Sequence, residues 1–253
     1  MNNDIIETSD SKLLLDNPVI SVLVITYNHE KYIRQALDGV LSQETTYSFE
    51  VVIGEDCSTD KTIDIVEFYQ KKFPGKIRLL TSKDNVGVSR NFTRTYESCR
   101  GQFIAICEGD DVWIDVKKLQ KQVDFLLGSA EYFVSYHDAH IVDEQGNVLN
   151  KSLLNNKGRD FTENELLMTR TLPTQTICFR NQLGVLPEEF ALVTYADSFL
   201  ISMFGEHGKA KYMGDIAPAW YRRHEGGIWS GMARDQKVIM TSTTFYWLSV
   251  YHA

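Results

Sequence analysis

The chain has 253 residues, 43% hydrophobic and 24% charged, which is the composition of an ordinary globular protein with one large domain or one domain and a C-terminal extension. Its formal net charge of −8 argues against nucleic acid as a main partner, because binding to a phosphate backbone needs a basic surface. No run approaches the roughly 20 apolar residues of a membrane-spanning helix.

Strands and helices alternate in the first half of the chain. Each predicted strand is a continuous apolar run, typical of strands buried on both faces: 19–25, 49–53, 77–80 and 103–107. Apolar side chains at helical spacing lie between these runs, with Ser58 and Asp115 as expected N-caps. The alternation predicts an α/β fold with a mostly parallel, Rossmann-like sheet flanked by helices.

The second half of the chain is less regular. Strands are predicted at 132–136, 141–148 and 175–180, helices near 163–168 and 196–204, and an extended segment at 211–223. The C-terminal stretch 244–251 is aromatic. We interpret it as a helix packed on the domain, with contact to a membrane surface as the alternative.

The residues that follow the strands are the candidates for chemistry, since ligands of open parallel sheets bind at the carboxyl ends of the strands. The first, second and fourth strands run into 26–28, 55–56 and 108–111, which carry aromatic, amide and acidic side chains. The first of these loops has no glycine, and the chain has no G-x-x-x-x-G-K-[ST] motif. Both absences argue against a nicotinamide dehydrogenase and a P-loop enzyme.

A diphosphate bound without a glycine-rich loop or a basic cluster needs another counter-charge. Carboxylates that hold a divalent cation supply one, because the cation bridges acid and phosphate oxygens. Glu108, Asp110 and Asp111 are hard oxygen ligands on one turn, and they suit Mn²⁺ or Mg²⁺. The alternative interpretation is that these acids only solvate a loop and cap the next helix.

Four segments, in this order and spacing, resemble the family 2 glycosyltransferases: Pro18–Asn28, Glu55–Asp60, Asn85–Asn91 and Glu108–Asp111. The resemblance is close over 18–127 and looser to about residue 230. It implies a GT-A fold and an inverting enzyme that moves a sugar from a nucleotide-sugar donor, with UDP expected, to an acceptor hydroxyl. Because the chain lacks the Q-x-x-R-W motif of processive members, we expect one sugar per encounter.

The resemblance also implies the donor site. Tyr27 is expected to stack on the base beside Thr26, and Asp56 to accept a hydrogen bond from the base. Asp110 would contact the ribose and diphosphate, and Asp111 the metal. The other expected donor contacts are Asn28, Glu55, Asn85, Arg90, Arg222 and Glu108, the last standing where many members have Asp.

Two later segments complete the implied site. Asp197 matches the general base that deprotonates the acceptor, although a lone Asp at a helix start is more often an N-cap. The segment 221–230 resembles the loop that closes over the diphosphate, in which Arg222 would stabilise the leaving group. His224 would join Asp110 and Asp111 as a metal ligand. For His29 we expect a surface or packing role.

The predicted organisation is a leader at 1–17, one glycosyltransferase domain at 18–230 and a helical extension at 231–253. Within the domain, 18–127 would bind the nucleotide sugar and 128–230 the acceptor, a saccharide or a lipid-linked molecule in polysaccharide or glycoconjugate biosynthesis. Four cysteines without close spacing fit free, mostly buried thiols in a reducing compartment. We therefore expect a cytoplasmic protein, at the inner face of the membrane if the acceptor is lipid-linked.

Two other functions are compatible with acids at the edge of an α/β sheet. A nucleotidyltransferase acting on a sugar phosphate would need Lys or Arg in the first loop, and 26–30 has neither. A non-catalytic nucleotide-binding domain would not need an intact set of acids at 56, 110, 111 and 197.

Overall fold

The computed structural model describes residues 5–194, 196–227 and 232–253. The strands are β1 (Ile6–Glu7), β2 (Ile20–Thr26), β3 (Phe49–Glu55), β4 (Ile77–Thr81), β5 (Phe103–Ile106), β6 (Tyr132–Tyr136), β7 (Ala139–Val142), β8 (Val148–Asn150), β9 (Cys178–Arg180), β10 (Lys209–Tyr212) and β11 (Ala219–Arg222). The helices are α1 (Ile33–Leu41), α2 (Thr62–Lys72), α3 (Val88–Glu97), α4 (Lys118–Gly128), α5 (Glu163–Leu167), α6 (Ala196–Gly205) and α7 (Arg234–Tyr251). Single 3₁₀ turns lie at Thr174–Thr176 and Glu188–Leu192.

The main sheet has eight strands in the order β1-β4-β3-β2-β5-β9-β6-β10. The four predicted first-half strands pair in parallel at its centre, with β2 between β3 and β5. Only β1 and β9 run antiparallel to their neighbours in this sheet. The prediction of a mostly parallel sheet is therefore confirmed. A second sheet, β11-β7-β8, holds part of the irregular half.

The continuous apolar runs are explained by two hydrophobic cores, one on each face of the main sheet. All seven residues of β2 are buried. Val22 and Val24 pack on the face covered by α1 and α4, whereas Leu23 and Ile25 pack on the other face with Phe92 of α3. A strand whose side chains are buried on both faces of the sheet has apolar residues at successive positions rather than alternating apolar and polar ones.

The two predicted N-caps were wrong, because α2 begins at Thr62 and α4 at Lys118. The Ser58 hydroxyl instead accepts a hydrogen bond from the backbone N–H of Asn28 at 2.9 Å. The Asp115 carboxylate accepts from the backbone N–H groups of Lys117 and Ala217. Both side chains therefore connect neighbouring loops by hydrogen bonds. The segment between each strand and the following helix is longer than predicted, so neither residue lies at the helix start.

The predicted leader and extension both contain regular structure. β1 pairs with β4 and is fixed by Glu7, whose carboxylate lies 2.8 Å from the Arg78 guanidinium. α7 contacts α6, and its Leu248 belongs to the same hydrophobic core as Phe199 of α6. Among the described helices, none has the length and apolarity to cross a membrane. The four cysteines are free and three of them are buried, as predicted.

Candidate active site

The carboxyl ends of β2, β3 and β5 meet at one edge of the main sheet, because Thr26 is in register with Glu55 and the residues after β5 continue along β2. The second sheet adds a further segment to this edge. Val112 and Trp220 exchange backbone hydrogen bonds of 3.2 and 2.8 Å, which brings β11 and the residues after it against the acidic turn. The site is thus assembled from four distant parts of the chain.

Gly109 allows the first loop and the acidic turn to approach closely. A Cβ atom at this position would lie 2.6 Å from the Thr26 Oγ1 and 2.9 Å from the His29 Nδ1. No larger residue fits there without moving one of these side chains. The glycine that separates Glu108 from Asp110 is therefore what lets Asp110 face His29.

His29, Asp110 and His224 form a compact cluster whose candidate ligand atoms all lie within 4.8 Å of one another. The Asp110 Oδ2 is 2.9 Å from the His224 Nε2, and its Oδ1 is 3.9 Å from the His29 Nδ1. Burial raises the pKa of Asp110, but the neighbouring His29 and His224 outweigh it and leave that pKa below its ordinary value. The carboxylate is thus held in its charged form.

Asp111 lies beside this cluster and is almost fully buried. Its Oδ1 accepts a hydrogen bond of 2.9 Å from the backbone N–H of Arg222, whereas its Oδ2 is buried and has no hydrogen-bond partner in the part of the chain that the structure describes. Burial, together with the charges of Asp110 and Glu108, raises the pKa of Asp111 well above its ordinary value. A divalent cation would supply the missing partner, so the carboxylates and imidazoles here fit such an ion.

Glu108 and Asp197 line one small cavity with Thr174 and apolar side chains of α3 and α6. Burial and the neighbouring Asp197 raise the pKa of Glu108 well above its ordinary value. Burial also raises the pKa of Asp197, and a hydrogen bond with Thr174 opposes that rise. Glu108 therefore faces Asp197, and the added methylene relative to Asp is accommodated by this cavity.

The nucleotide side of the predicted site is built on Asp56, which is buried. Its two carboxylate oxygens accept hydrogen bonds of 2.9 Å from the backbone N–H groups of Val86 and Gly87. The Asn85 amide donates to the Asp56 backbone carbonyl at 2.9 Å. Asp56 and Asn85 thereby fix the loop between β4 and α3.

Glu55 and Asn28 fix the loops on either side of this point. The Glu55 carboxylate accepts from the backbone N–H of Ser58 at 2.8 Å, and the Asn28 Oδ1 accepts from the backbone N–H of Thr59 at 2.8 Å. Asn28 adopts a left-handed φ of 54°, which Asn tolerates better than most residues. Tyr27 projects from the same turn with 41% of its surface exposed, so its ring is available to a ligand.

The two predicted arginines differ in their surroundings. Arg90 is exposed on the first turn of α3. Arg222 is buried, and its guanidinium donates to the backbone carbonyls of Asp110 and Glu144 and to the Gln35 side chain. Residues 228–231, at the end of the predicted closing loop, lie outside the described residues.

Three residues of the site were missed or given another role from the sequence. His29 was expected on the surface or in packing, although it directly follows the strand-end motif and could have been considered for that reason. Arg94 of α3 is buried with its Nη2 3.5 Å from the Asp56 Oδ1, and its Nη1 has no hydrogen-bond partner among the described residues. Thr174 meets Asp197 only through the tertiary fold.

Comparison with known proteins identifies the family to which this chain belongs and the fold that it shares with solved structures. The model of Glycosyl transferase family 2 matches residues 21–180. The uncharacterized protein Rv1520 of Mycobacterium tuberculosis is 34% identical over 226 residues, which cover 86% of this chain and 62% of that protein. The chain thus spans less than two thirds of the length of this relative.

Two solved structures resemble the fold at low sequence identity. Staphylococcus aureus TarS in complex with UDP-GlcNAc superposes with a TM-score of 0.64 at 24% identity, covering 85% of this chain and 61% of that one. The mannosyltransferase PcManGT from Pyrobaculum calidifontis, in complex with GDP-Man and Mn²⁺, gives a TM-score of 0.64 at 17% identity, covering 91% and 64%. These likenesses confirm the predicted GT-A fold.

Proposed function

Because the chain belongs to glycosyl transferase family 2, we propose that it transfers one sugar from a UDP-sugar to an acceptor hydroxyl with inversion of configuration. The observation that carries this proposal is the convergence of the candidate base Asp197, the acidic turn and Tyr27 on one edge of the sheet. A donor held there would have its base at Tyr27, its diphosphate at Asp110 and Asp111, and its sugar toward Asp197.

The donor half supports nucleotide recognition by stacking and hydrogen bonding. The half-exposed Tyr27 ring can stack on a base, a contact worth about 1–3 kcal/mol in nucleic-acid systems. We assign Asp56 to accept a hydrogen bond from the base, with Thr26, Asn28, Glu55 and Asn85 holding the loops around it. The exposed Arg90 remains our candidate for a direct contact with the nucleotide. The buried Arg222 is better suited to positioning the acidic turn than to reaching the leaving group.

Asp197 is our candidate for the general base. Burial raises its pKa, and a base with a pKa nearer to neutrality accepts a proton from a hydroxyl more effectively. The acceptor oxygen, freed of its proton, would attack the anomeric carbon while the nucleoside diphosphate leaves from the opposite face. A single displacement of this kind inverts the configuration at that carbon.

A divalent cation, Mn²⁺ or Mg²⁺, would offset the negative charge that develops on the departing diphosphate. Asp111 is our first candidate to hold it, because one oxygen of its buried carboxylate has no hydrogen-bond partner within 5–194, 196–227 and 232–253. Asp110 and His224 complete the predicted ligand set.

We further propose a role in the synthesis or decoration of a surface polysaccharide or glycoconjugate. TarS, which resembles this chain, carries the name poly(ribitol-phosphate) β-N-acetylglucosaminyltransferase. We assign the choice of sugar, acceptor and linkage to the irregular segment 140–215.

The test is nucleotide release from a panel of UDP-sugars and GDP-sugars, in the presence of Mn²⁺, Mg²⁺ or EDTA. We expect one donor to be hydrolysed slowly without an acceptor, and EDTA to stop the release. Asp197→Asn should lower turnover by at least about 10²-fold with donor affinity unchanged. Ser198→Ala, at the neighbouring position, is the matched control. Unchanged turnover in Asp197→Asn would exclude Asp197 as the base, and no release or metal-dependent binding of any donor would refute the proposed function.

A further inference from the structure

The nitrogen ligands beside the acidic turn distinguish this site from a carboxylate-only magnesium site. His29 and His224 belong to different loops, one after β2 and the other after β11, yet their ring centres are 5.8 Å apart at nearly a right angle. Asp110 lies between them, with one carboxylate oxygen toward each imidazole. Each of the three side chains is less than one-fifth exposed.

We propose that His29 is a further metal ligand beside Asp110 and His224, so that two imidazoles join the carboxylates of the proposed site, and that the site therefore prefers a first-row transition-metal ion to Mg²⁺. This inference rests on the proposed function in one respect: the role of the ion, which is to hold the donor diphosphate. The identity of the ligands and the preference for the ion depend on the geometry of the three side chains.

The spacing of the donor atoms fits one ion. Metal–ligand bonds of about 2.1 Å at right angles put neighbouring ligand atoms about 3 Å apart, and atoms on opposite sides about 4.2 Å apart. The separation of 2.9 Å between Asp110 Oδ2 and His224 Nε2 corresponds to a neighbouring pair. The separation of 3.9 Å between Asp110 Oδ1 and His29 Nδ1 lies between the two values. A small side-chain rotation therefore suffices to place all three around an ion.

The chemistry of the ligands sets the preference. Mg²⁺ prefers oxygen ligands and gives up its waters reluctantly, whereas imidazole nitrogen binds first-row transition-metal ions well. Two imidazoles with the carboxylates of Asp110 and Asp111 still leave at least two positions of a six-coordinate ion open, which is the arrangement needed to accept diphosphate oxygens. For such ligands affinity rises from Mn²⁺ to Co²⁺.

The packing around His29 positions its ring beside Asp110. Its backbone N–H donates to the Thr62 hydroxyl at 2.8 Å, which fixes the loop on α2. Gly109 leaves the space into which the imidazole fits, with its Nδ1 3.3 Å from the Thr26 hydroxyl. The ring is thus placed beside Asp110, and its Nδ1 would exchange the contact with the Thr26 hydroxyl for the ion.

The experiment measures metal binding by the full chain after removal of metal with EDTA. Free Mn²⁺ is followed by electron paramagnetic resonance, Co²⁺ by visible absorption, and Mg²⁺ by competition with Mn²⁺. We expect Co²⁺ to bind more tightly than Mn²⁺, and Mn²⁺ at least about tenfold more tightly than Mg²⁺. Electron spin-echo modulation of bound Mn²⁺ should show nitrogen from two imidazoles.

His29→Ala should weaken Mn²⁺ binding by about tenfold or more, leave Mg²⁺ binding within about threefold, and remove one imidazole from the spin-echo signal. His29→Asp replaces the Nδ1 with an oxygen and should bring the Mn²⁺ and Mg²⁺ affinities together. His207→Ala, which removes an exposed imidazole stacked on Phe133, is the matched control and should change none of these values.

The proposal is overturned if wild type binds Mn²⁺ and Mg²⁺ equally, or if His29→Ala keeps both the wild-type Mn²⁺ affinity and the two-imidazole signal. Failure of this proposal is distinguishable from failure of the proposed function. If the wild-type protein releases nucleotide and His29→Ala binds metal as wild type does, only the assignment of His29 as a ligand is refuted. Selective, His29-dependent Mn²⁺ binding, with neither nucleotide release from any nucleotide sugar nor metal-dependent binding of one, refutes the transferase function and leaves the metal site in place.

Discussion

Lys118 offers the most quantitative test of the structure beneath the acidic turn. This side chain is almost fully buried at the start of α4, with its ammonium 4.1 Å from the centre of the Trp113 ring and donating to the Gln122 Oε1 at 2.6 Å. Burial lowers the pKa of Lys118 from 10.5 to about 8. The folded protein therefore carries the cost of a buried charge at neutral pH.

The size and sign of this cost follow from linkage. Each step of one pH between the two pKa values corresponds to about 1.4 kcal/mol, so the cost is about 3 kcal/mol at pH 7. Below pH 8 the lysine is charged in both the folded and unfolded states, and the folded state bears the whole cost. Above pH 10.5 it is neutral in both states and the cost disappears. At pH 10 about 1 kcal/mol remains.

Lys118→Met removes the charge while keeping an unbranched apolar side chain. It also loses the hydrogen bond to Gln122 and the contact with Trp113, together worth about 1–2 kcal/mol. We therefore expect the variant to be more stable than wild type by about 1–2 kcal/mol at pH 7. At pH 10 it should be equal or slightly less stable.

Urea unfolding of both proteins at pH 7 and pH 10 measures the difference. The informative quantity is the change of about 2.5 kcal/mol in the variant's relative free energy of unfolding between the two pH values. Lys117→Met, one position earlier and largely exposed, controls for general effects of losing a lysine. If the difference in stability between Lys118→Met and wild type does not depend on pH, burial does not lower the pKa of Lys118.

Two further predictions concern the site itself. Gly109→Ala places a Cβ 2.6 Å from the Thr26 Oγ1 and should lower donor turnover by about 10²-fold through displaced ligands, measured as nucleotide release; wild-type turnover would contradict the close approach. Tyr27→Ala should weaken donor binding by about 1–3 kcal/mol in calorimetry, with Tyr27→Phe as the control that retains the ring. Equal affinity of wild type and Tyr27→Ala would remove Tyr27 from the base site.

The first half of the fold was predictable because its strands contribute side chains to the hydrophobic cores on both faces of the sheet. The runs that form β2 to β5 are apolar at every position, and only a strand buried on both faces requires this. Asp115 and Ser58 show the limit of such local interpretation. Both have the side chain of an N-cap, yet Asp115 also binds Ala217 and Ser58 binds Asn28, which lie 102 and 30 residues away.

The irregular half was predictable in its elements but not in its pairing. Strand β9 inserts antiparallel between β5 and β6, and β11 joins β7 in a separate sheet. These pairings join segments that are distant along the chain, so periodicity contains no information about them. They are nevertheless what brings Arg222 and His224 to the acidic turn.

The sequence by itself determined the family, the parallel sheet and the edge at which the chemistry lies, because strand ends and motif order are local properties of the chain. Only the tertiary structure decided which side chains meet there. It grouped His29 with Asp110 and His224, and Glu108 with Asp197, and among the described residues it left one oxygen of Asp111 without a hydrogen-bond partner. Ligand geometry depends on distances between loops, and those distances are set by packing rather than by residue order.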